Sequence, residues 1–191
     1  MKIRLNGFVA FTLALLLAGC SALSGPSVQY RDPNMDFGSI TTIAVLPLAN
    51  LSHEQMASDR VRDILMNMLL STGAVYVLPP GEVARGITRA GMNPLTPSVE
   101  DVKKIGTILD VKAVITGVVK EYGEIRAASS SANVISLSLQ MIETQSGKVV
   151  WSAAATEGGV GAWERLFGGG GKPVNDVTEK AIHDLIESLI K

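Results

Sequence analysis

Apolar and polar residues follow two different periods along the chain, and the change between them separates its two halves. In the first half, apolar side chains recur every three to four residues after a short β-rich run at residues 40–47, which predicts a buried strand followed by amphipathic helices. In the second half, apolar and polar residues alternate, as is typical of half-buried antiparallel strands. The two patterns together predict a fold that combines helices with a sheet.

Four segments have the helical period. The first carries the apolar positions Ala57, Val61, Ile64, Leu65, Met68 and Leu69 and ends at Gly73. A short helix over residues 82–89 ends near Gly91, and a third begins at residues 96–101, where early acidic side chains favour a helix start. The last helix places Val174, Val177, Ala181, Leu185 and Leu189 on one face. We expect Met56, Met66 and Met68 to fill the core, with Met66 partly exposed.

The strands complete the predicted architecture. Residues 75–78 and 113–122 are rich in β-branched side chains, and Ile135, Leu137, Leu139 and Met141 alternate with polar residues. A turn at residues 144–148 leads into a partner strand with Val149, Trp151, Ala153 and Ala155 on one face. We interpret residues 127–133 as a short polar link. The order β-α-β-α-α-β-β-β-α predicts an α/β fold of the α+β sandwich kind, a mixed sheet with helices packed on it, in one domain over residues 40–191.

The first twenty residues predict a lipid attachment site. Lys2 and Arg4 precede an apolar run at residues 8–18, which is too short for a typical membrane-spanning helix and has the length of a secretory signal segment. The run ends in Leu-Ala-Gly-Cys, which resembles the bacterial lipobox. We therefore predict a signal peptide over residues 1–19, cleavage between Gly19 and Cys20, and acylation of Cys20. A plain signal peptide with an incidental cysteine is the alternative.

The predicted anchor determines the predicted location. Acyl chains on Cys20 hold a protein stably at a bilayer, and the residue after the cysteine is Ser21 rather than aspartate. By resemblance to bacterial lipoproteins, this favours the outer membrane, and we expect the periplasmic face, although the sequence does not encode the leaflet. Residues 20–39 contain glycine and proline without sustained periodicity and are interpreted as a flexible tether.

Composition excludes several classes of function. The 191 residues include 17 basic and 18 acidic side chains without a basic cluster, which argues against nucleic-acid binding. A single cysteine excludes an internal disulfide and a cysteine-rich zinc site. His53 and His183 are far apart and lack metal-ligand spacing, and the serines at residues 129–131 lack a catalytic partner. We therefore predict no catalytic residue, metal, cofactor or small-molecule substrate.

A glycine-rich stretch at residues 158–171 is the candidate contact site. It does not match a phosphate-binding loop, because Leu166 and Pro173 occupy positions that require glycine and a hydroxyl residue. Trp163, Leu166 and Phe167 have the spacing of one apolar helical turn and are predicted to contact a partner or a membrane surface. In the alternative, these three side chains fold back and cover the sheet.

Three segments carry a family resemblance: the strand at residues 43–47, the strand at residues 110–123 and the hairpin at residues 142–151. Their order is similar to that of small bacterial envelope lipoproteins, in particular the curli-secretion lipoprotein and the amino-terminal domain of the Tol-Pal propeller protein. The resemblance implies a non-enzymatic periplasmic scaffold or accessory protein in envelope assembly, transport or secretion. Its partners would be envelope proteins or further copies of itself. An oligomeric secretion-channel component and a ligand-binding or enzymatic lipoprotein are the alternatives.

Overall fold

One mixed sheet forms the centre of the protein in the computed structural model, which describes residues 28–127, 130–158 and 171–190. Within these ranges the sheet has seven strands in the order β1-β7-β6-β5-β2-β4, with β3 pairing to β5 beyond the end of β2. The strands are β1 (Gln29–Arg31), β2 (Thr42–Val45), β3 (Ala49–Asn50), β4 (Tyr76–Val77), β5 (Ala113–Ala127), β6 (Ser130–Glu143) and β7 (Val149–Gly158). The predicted fold class is confirmed.

Four helices in the described ranges cover the two faces of the sheet. They are α1 (Ala57–Ser71), α2 (Pro80–Ala90), α3 (Val99–Leu109) and α4 (Val174–Ile190). Helices α1 and α4 bury their apolar stripes against one face in the larger core, which contains Trp151. Helices α2 and α3 pack on the other face in a smaller core that reaches only Ala44, Val114 and Ile142 of the central strands.

Local sequence signals set the ends of the helices. The Ser98 hydroxyl accepts a hydrogen bond from the Asp101 amide, and the Asp101 carboxylate accepts one from the Ser98 amide, so a capping box begins α3. Gly91 ends α2 in the left-handed conformation, with φ of 64°. The Ser98 amide and the Ser98 hydroxyl both lie within hydrogen-bonding distance of the Asp101 carboxylate and favour its ionised form, so the pKa of Asp101 lies below its usual value.

The β5–β6 hairpin is the longest element of the sheet. The two strands pair in antiparallel register from Ala113 opposite Glu143 to Ala127 opposite Ser130. Lys120 is an extra residue on β5, since Val119 pairs with Leu137 and Glu121 pairs with Ser136. This bulge reverses which side chains of β5 face the larger core. The part of the hairpin beyond it, residues 121–127 and 130–136, is called the arm below.

The structure corrects three details of the predicted layout. Gln29–Arg31 pairs with β7, so the folded domain begins at Gln29 and the flexible tether does not extend to residue 39. The polar link predicted over residues 127–133 is wrong, because most of these residues belong to the paired strands of the hairpin. Val149 is 36% exposed, because the pairing with β6 shifts after Met141 and Val150 enters the core instead.

The turn after β6 is joined tightly to α3. The Thr144 hydroxyl lies 2.7 Å from the Val111 carbonyl oxygen and 2.9 Å from that of Lys112, within hydrogen-bonding distance of both. A β-carbon added to Gly106 would lie 2.7 Å from Cγ2 of Thr144, closer than side chains pack. The absence of a side chain at Gly106 therefore lets α3 approach the hairpin.

We predict that Gly106→Ala lowers the free energy of unfolding by about 1–3 kcal/mol, since the new methyl group overlaps the Thr144 side chain, whose hydroxyl is held between two carbonyl oxygens. Gly81→Ala is the matched control, because the nearest atom to its added β-carbon is 3.9 Å away, on the flexible Arg85 side chain. Helix propensity alone should make that control neutral or more stable by up to about 1 kcal/mol. Urea unfolding measures both variants, and equal effects would contradict the packing at Gly106.

Candidate interaction surfaces

The residues that the sequence singled out lie outside the described ranges. They are Gly19, Cys20, Trp163, Leu166 and Phe167. The predictions of cleavage, acylation and partner contact at these positions therefore stay predictions.

The histidines are both on the surface. His53 is exposed, and the His183 side chain is 60% exposed beside Asp184. In residues 28–127, 130–158 and 171–190, no cluster of three or more histidine, cysteine, aspartate or glutamate side chains could hold a metal ion. Within the same ranges, no helix combines the length and apolar character that a membrane crossing requires.

One part of the sheet has no described helix packed against it. We call it the open face; it lies on the side of α2 and α3, beyond the smaller core. Its side chains are mostly small, uncharged and half-exposed: Tyr30, Thr116, Val118, Ser136, Ser138, Gln140, Ser152, Ala154 and Thr156. The charged Glu121 lies opposite Ser136 at the margin of this face, where the arm begins. A flat surface with few charged side chains can pack against another protein with little cost of desolvating charge.

The sequence pattern alone did not identify this surface. Ser136, Ser138 and Gln140 were interpreted as the solvent side of an amphipathic strand, and the register confirms that they point away from the larger core. Tyr30 lies opposite Ser152 on β1, a strand that was not predicted, and is 49% exposed. The lack of charged residues among the outward positions of β6 and β7 was the available signal.

The arm presents two faces of different character. On one face, Glu124 pairs with Asn133 and Arg126 pairs with Ser131. On the other, Gly123 pairs with Val134 and Ile125 pairs with Ala132. Ile125 is 46% exposed. The arm is therefore an amphipathic two-stranded ribbon with an apolar residue exposed near its end.

Charges on the arm are arranged along one strand. Arg126 Nη2 lies 3.2 Å from Glu124 Oε2 in an exposed ion pair. Hydrogen bonds from Ser131 and from Arg126 hold the pKa of Glu124 below its ordinary value. Glu124 is therefore ionised at neutral pH, and the arm carries a negative and a positive side chain two residues apart.

A shallow apolar cavity lies at the other end of the sheet. It measures about 260 Å³ and is lined by residues of β1, α1 and α4 and of the segment between β1 and β2. The Arg31 guanidinium carbon stands 3.9 Å from the centre of the Phe37 ring, and Nη1 of Arg31 donates a hydrogen bond to the Leu189 carbonyl. Arg31 thus joins the edge strand β1 to the end of α4, and its contacts hold the rim of the cavity together.

A mixed sheet between pairs of helices, with an uncovered face and an exposed hairpin arm, defines an α+β domain suited to recognition by surface contact. A family model described as "Putative lipoprotein GNA1162-like" matches residues 37–182. The chain therefore belongs to the GNA1162-like lipoprotein family. No curated protein sequence matches it.

Solved structures with a similar fold include two crystal forms of the PelC dodecamer from Paraburkholderia phytofirmans. They superpose with TM-scores of 0.60 and 0.59 at 21% and 19% sequence identity, over 86% of this chain and 98% of the PelC chain. The lipoprotein GNA1162 from Neisseria meningitidis superposes with a TM-score of 0.55 at 19% identity, over 78% of this chain and 98% of that one. At these identities the similarity shows the shared fold.

The family match refines the resemblance inferred from the sequence. It supports membership among small lipoproteins, and it does not support the resemblance to the curli-secretion lipoprotein or to the Tol-Pal propeller protein. The strand and hairpin sequences at residues 110–123 and 142–151 form the paired core strands of the sheet. Their pattern therefore indicates a sheet architecture and does not distinguish between these lipoproteins.

We predict that Arg31→Met lowers the free energy of unfolding by about 1–2 kcal/mol, because it removes a partly buried hydrogen bond and a cation–π contact. Arg85→Met is the control, since the Arg85 side chain is 67% exposed in a surface ion pair and should contribute at most about 0.5 kcal/mol. Urea unfolding compares the two. A cost at Arg31 no larger than at Arg85 would contradict its role in joining β1 to α4.

Proposed function

We propose that this protein is a membrane-anchored, non-enzymatic scaffold or accessory lipoprotein of the bacterial envelope that acts through protein–protein contacts, including contacts with further copies of itself. The observation that carries the proposal is the uncovered, mostly uncharged part of the sheet beside the projecting arm. These surfaces are suited to binding another protein, since they offer flat packing area and unpaired strand backbone.

Two comparisons support the proposal. The family is one of lipoproteins, which agrees with an acylated Cys20 and an envelope location. The PelC structures of similar fold are dodecamers, which shows that a domain of this architecture can assemble into a closed set of copies. We place the anchor in the outer membrane, with the domain on the periplasmic face, because Ser21 follows Cys20.

The position of β1 shortens the proposed tether. Hydrogen bonding to the sheet begins at Val28, whose carbonyl accepts from the Ala154 amide. Seven residues therefore separate the start of the sheet from Cys20, and the eight Cα-to-Cα steps between Cys20 and Val28 span only about 28 Å when fully stretched. The domain is thereby kept next to the bilayer, where other anchored copies are concentrated.

We predict that Cys20→Ser moves the protein from the membrane fraction to the soluble envelope fraction, because the acylated sulfur is the proposed anchor. Ser21→Ala, one residue further on, should leave the protein with the membrane. Fractionation of cells followed by immunoblotting and mass measurement of the amino terminus checks both variants. A Cys20→Ser protein that stays fully in the membrane fraction would refute lipid anchoring at Cys20.

Trp163, Leu166 and Phe167 are proposed to contribute a partner contact. We expect the double variant Trp163→Ala, Phe167→Ala to retain its unfolding midpoint but to lose proteins captured by cross-linking in intact cells, because exposed aromatic side chains contribute strongly to binding. A variant that loses about 3 kcal/mol or more of stability would instead indicate that these rings pack in the core. Identification of the captured proteins by mass spectrometry names the partners.

A further inference from the structure

Among the residues that the structure describes, no strand pairs with the outer edge of β5 along the arm. On that side, β2 pairs with β5 from Ala113 to Ile115 and β3 pairs with Val118 and Val119. The last backbone hydrogen bond runs from the Leu51 amide to the Val119 carbonyl. In the described part of the chain, no strand continues along β5 after this point. Every second backbone group of residues 121–126 therefore faces outward, away from β6.

This edge carries charged side chains, which oppose pairing where like charges meet, but it lacks two other common protections. No proline interrupts residues 120–127, and the bulge at Lys120 lies at the base of the arm rather than within it. The pairing of β6 with β7 ends at Val134, so the outer part of the arm, residues 124–127 and 130–133, has two strands in the described part of the chain. A two-stranded ribbon is only marginally stable in water, and a third strand stabilises it. A further strand on the β5 edge would satisfy the outward backbone groups and cover part of the exposed Ile125 side chain.

The charges of β5 select a register for pairing with a second copy. Two β5 edges that pair antiparallel are related by a two-fold axis perpendicular to the sheet. Side chains that lie directly opposite each other are then on the same side of the sheet. The residue beside the axis lies opposite the same residue of the second copy. With Ile125 at the centre, Glu124 of each copy faces Arg126 of the other, and the two Ile125 side chains meet. Each Glu124 then lies opposite a positive charge, and the two apolar Ile125 side chains contact each other.

The neighbouring registers are less favourable. Centring on Glu124 brings two carboxylates together, and centring on Gly123 places Lys120 opposite Arg126; like charges directly opposite each other destabilise a sheet. Centring on Tyr122 places Glu124 opposite Lys120, but Lys120 is the extra residue of the bulge and has no partner on β6. This register also leaves Ile125 and Arg126 opposite Val119 and Val118, whose edge is already paired with β3. Charge complementarity therefore favours the register centred on Ile125.

We propose that two copies of this chain pair through the outer edges of their β5 strands, antiparallel and centred on Ile125, to form a continuous four-stranded ribbon from their two arms. This inference rests on the proposed self-association and names the surface that performs it. Anchoring both copies to one bilayer raises their local concentration and favours a contact of this modest size.

A cysteine cross-link tests the contact in the full-length protein in its own membrane. Ile125→Cys places two cysteines at a Cα separation of about 4.5–5.5 Å across an antiparallel pair, which is inside the range of disulfide geometry. Ile190→Cys is the matched control, because Ile190 is also an exposed isoleucine, 52% against 46%, but lies at the end of α4. The wild-type chain, whose one cysteine is Cys20, gives the background.

We expect mild oxidation to convert Ile125→Cys mainly into covalent dimer, while Ile190→Cys and the wild type stay monomeric on a non-reducing gel. Equal dimer at both positions, or none at position 125, would overturn the proposed contact. Amine cross-linking of the wild type distinguishes failure of this contact from failure of the proposed function. Self-association without a disulfide at position 125 overturns only the contact. A monomer that captures no protein overturns the proposed function as well.

Charge exchange tests the register. Glu124→Arg gives each arm two positive side chains, and Arg126→Glu gives each arm two negative ones, so either variant alone should lose most of its dimer. Two differently tagged copies, one with each substitution and both with Ile125→Cys, should form a mixed disulfide preferentially. Dimer yields that are unchanged by the single substitutions, or a mixture without preference for the mixed pair, would overturn the Glu124–Arg126 register.

Discussion

The backbone pairing between β5 and β6 is the interaction on which the rest of this structure depends. It runs from Ala113 opposite Glu143 to Ala127 opposite Ser130 and supplies side chains to both cores. Its first part is the middle of the sheet, where β2 and β7 pair on either side. Its second part, the arm, begins with Tyr122 and Ile135 at the larger core and then becomes exposed. One hairpin therefore both organises the fold and provides its most exposed backbone.

The bulge at Lys120 separates these two roles. Before it, Ile115 and Val119 are fully buried under the helices. After it, the register reverses, so that Tyr122, Glu124 and Arg126 lie on the side of the larger core. Tyr122 packs against that core, while Glu124 and Arg126 lie beyond it and form an exposed pair. One added residue thus changes a buried strand into an amphipathic ribbon without ending the pairing to β6. The proposed recognition by this lipoprotein follows from that change.

The sequence predicted the elements that local chemistry determines. Helical spacing, the stop at Gly91 and the acidic start of α3 identified the helices, and alternation identified the long strands. It did not predict β1, because three residues form a strand only when β7 is beside them. It also placed Met56 in the core and Met66 partly outside, whereas Met56 is 52% exposed and Met66 is 6% exposed. Which strand edges stay unpaired depends on strand order, which no local pattern records.

Hydrogen exchange at single-residue resolution in the membrane-anchored protein tests the central claim most directly. Alternate amides of residues 121–126 bond to β6, and the others face outward from the β5 edge. If the β5 edges of two copies pair, the outward-facing amides are protected from exchange to the same degree as the inward-facing ones when copies share a bilayer. Outward-facing amides that exchange as fast as those of an unstructured peptide of the same sequence would contradict it.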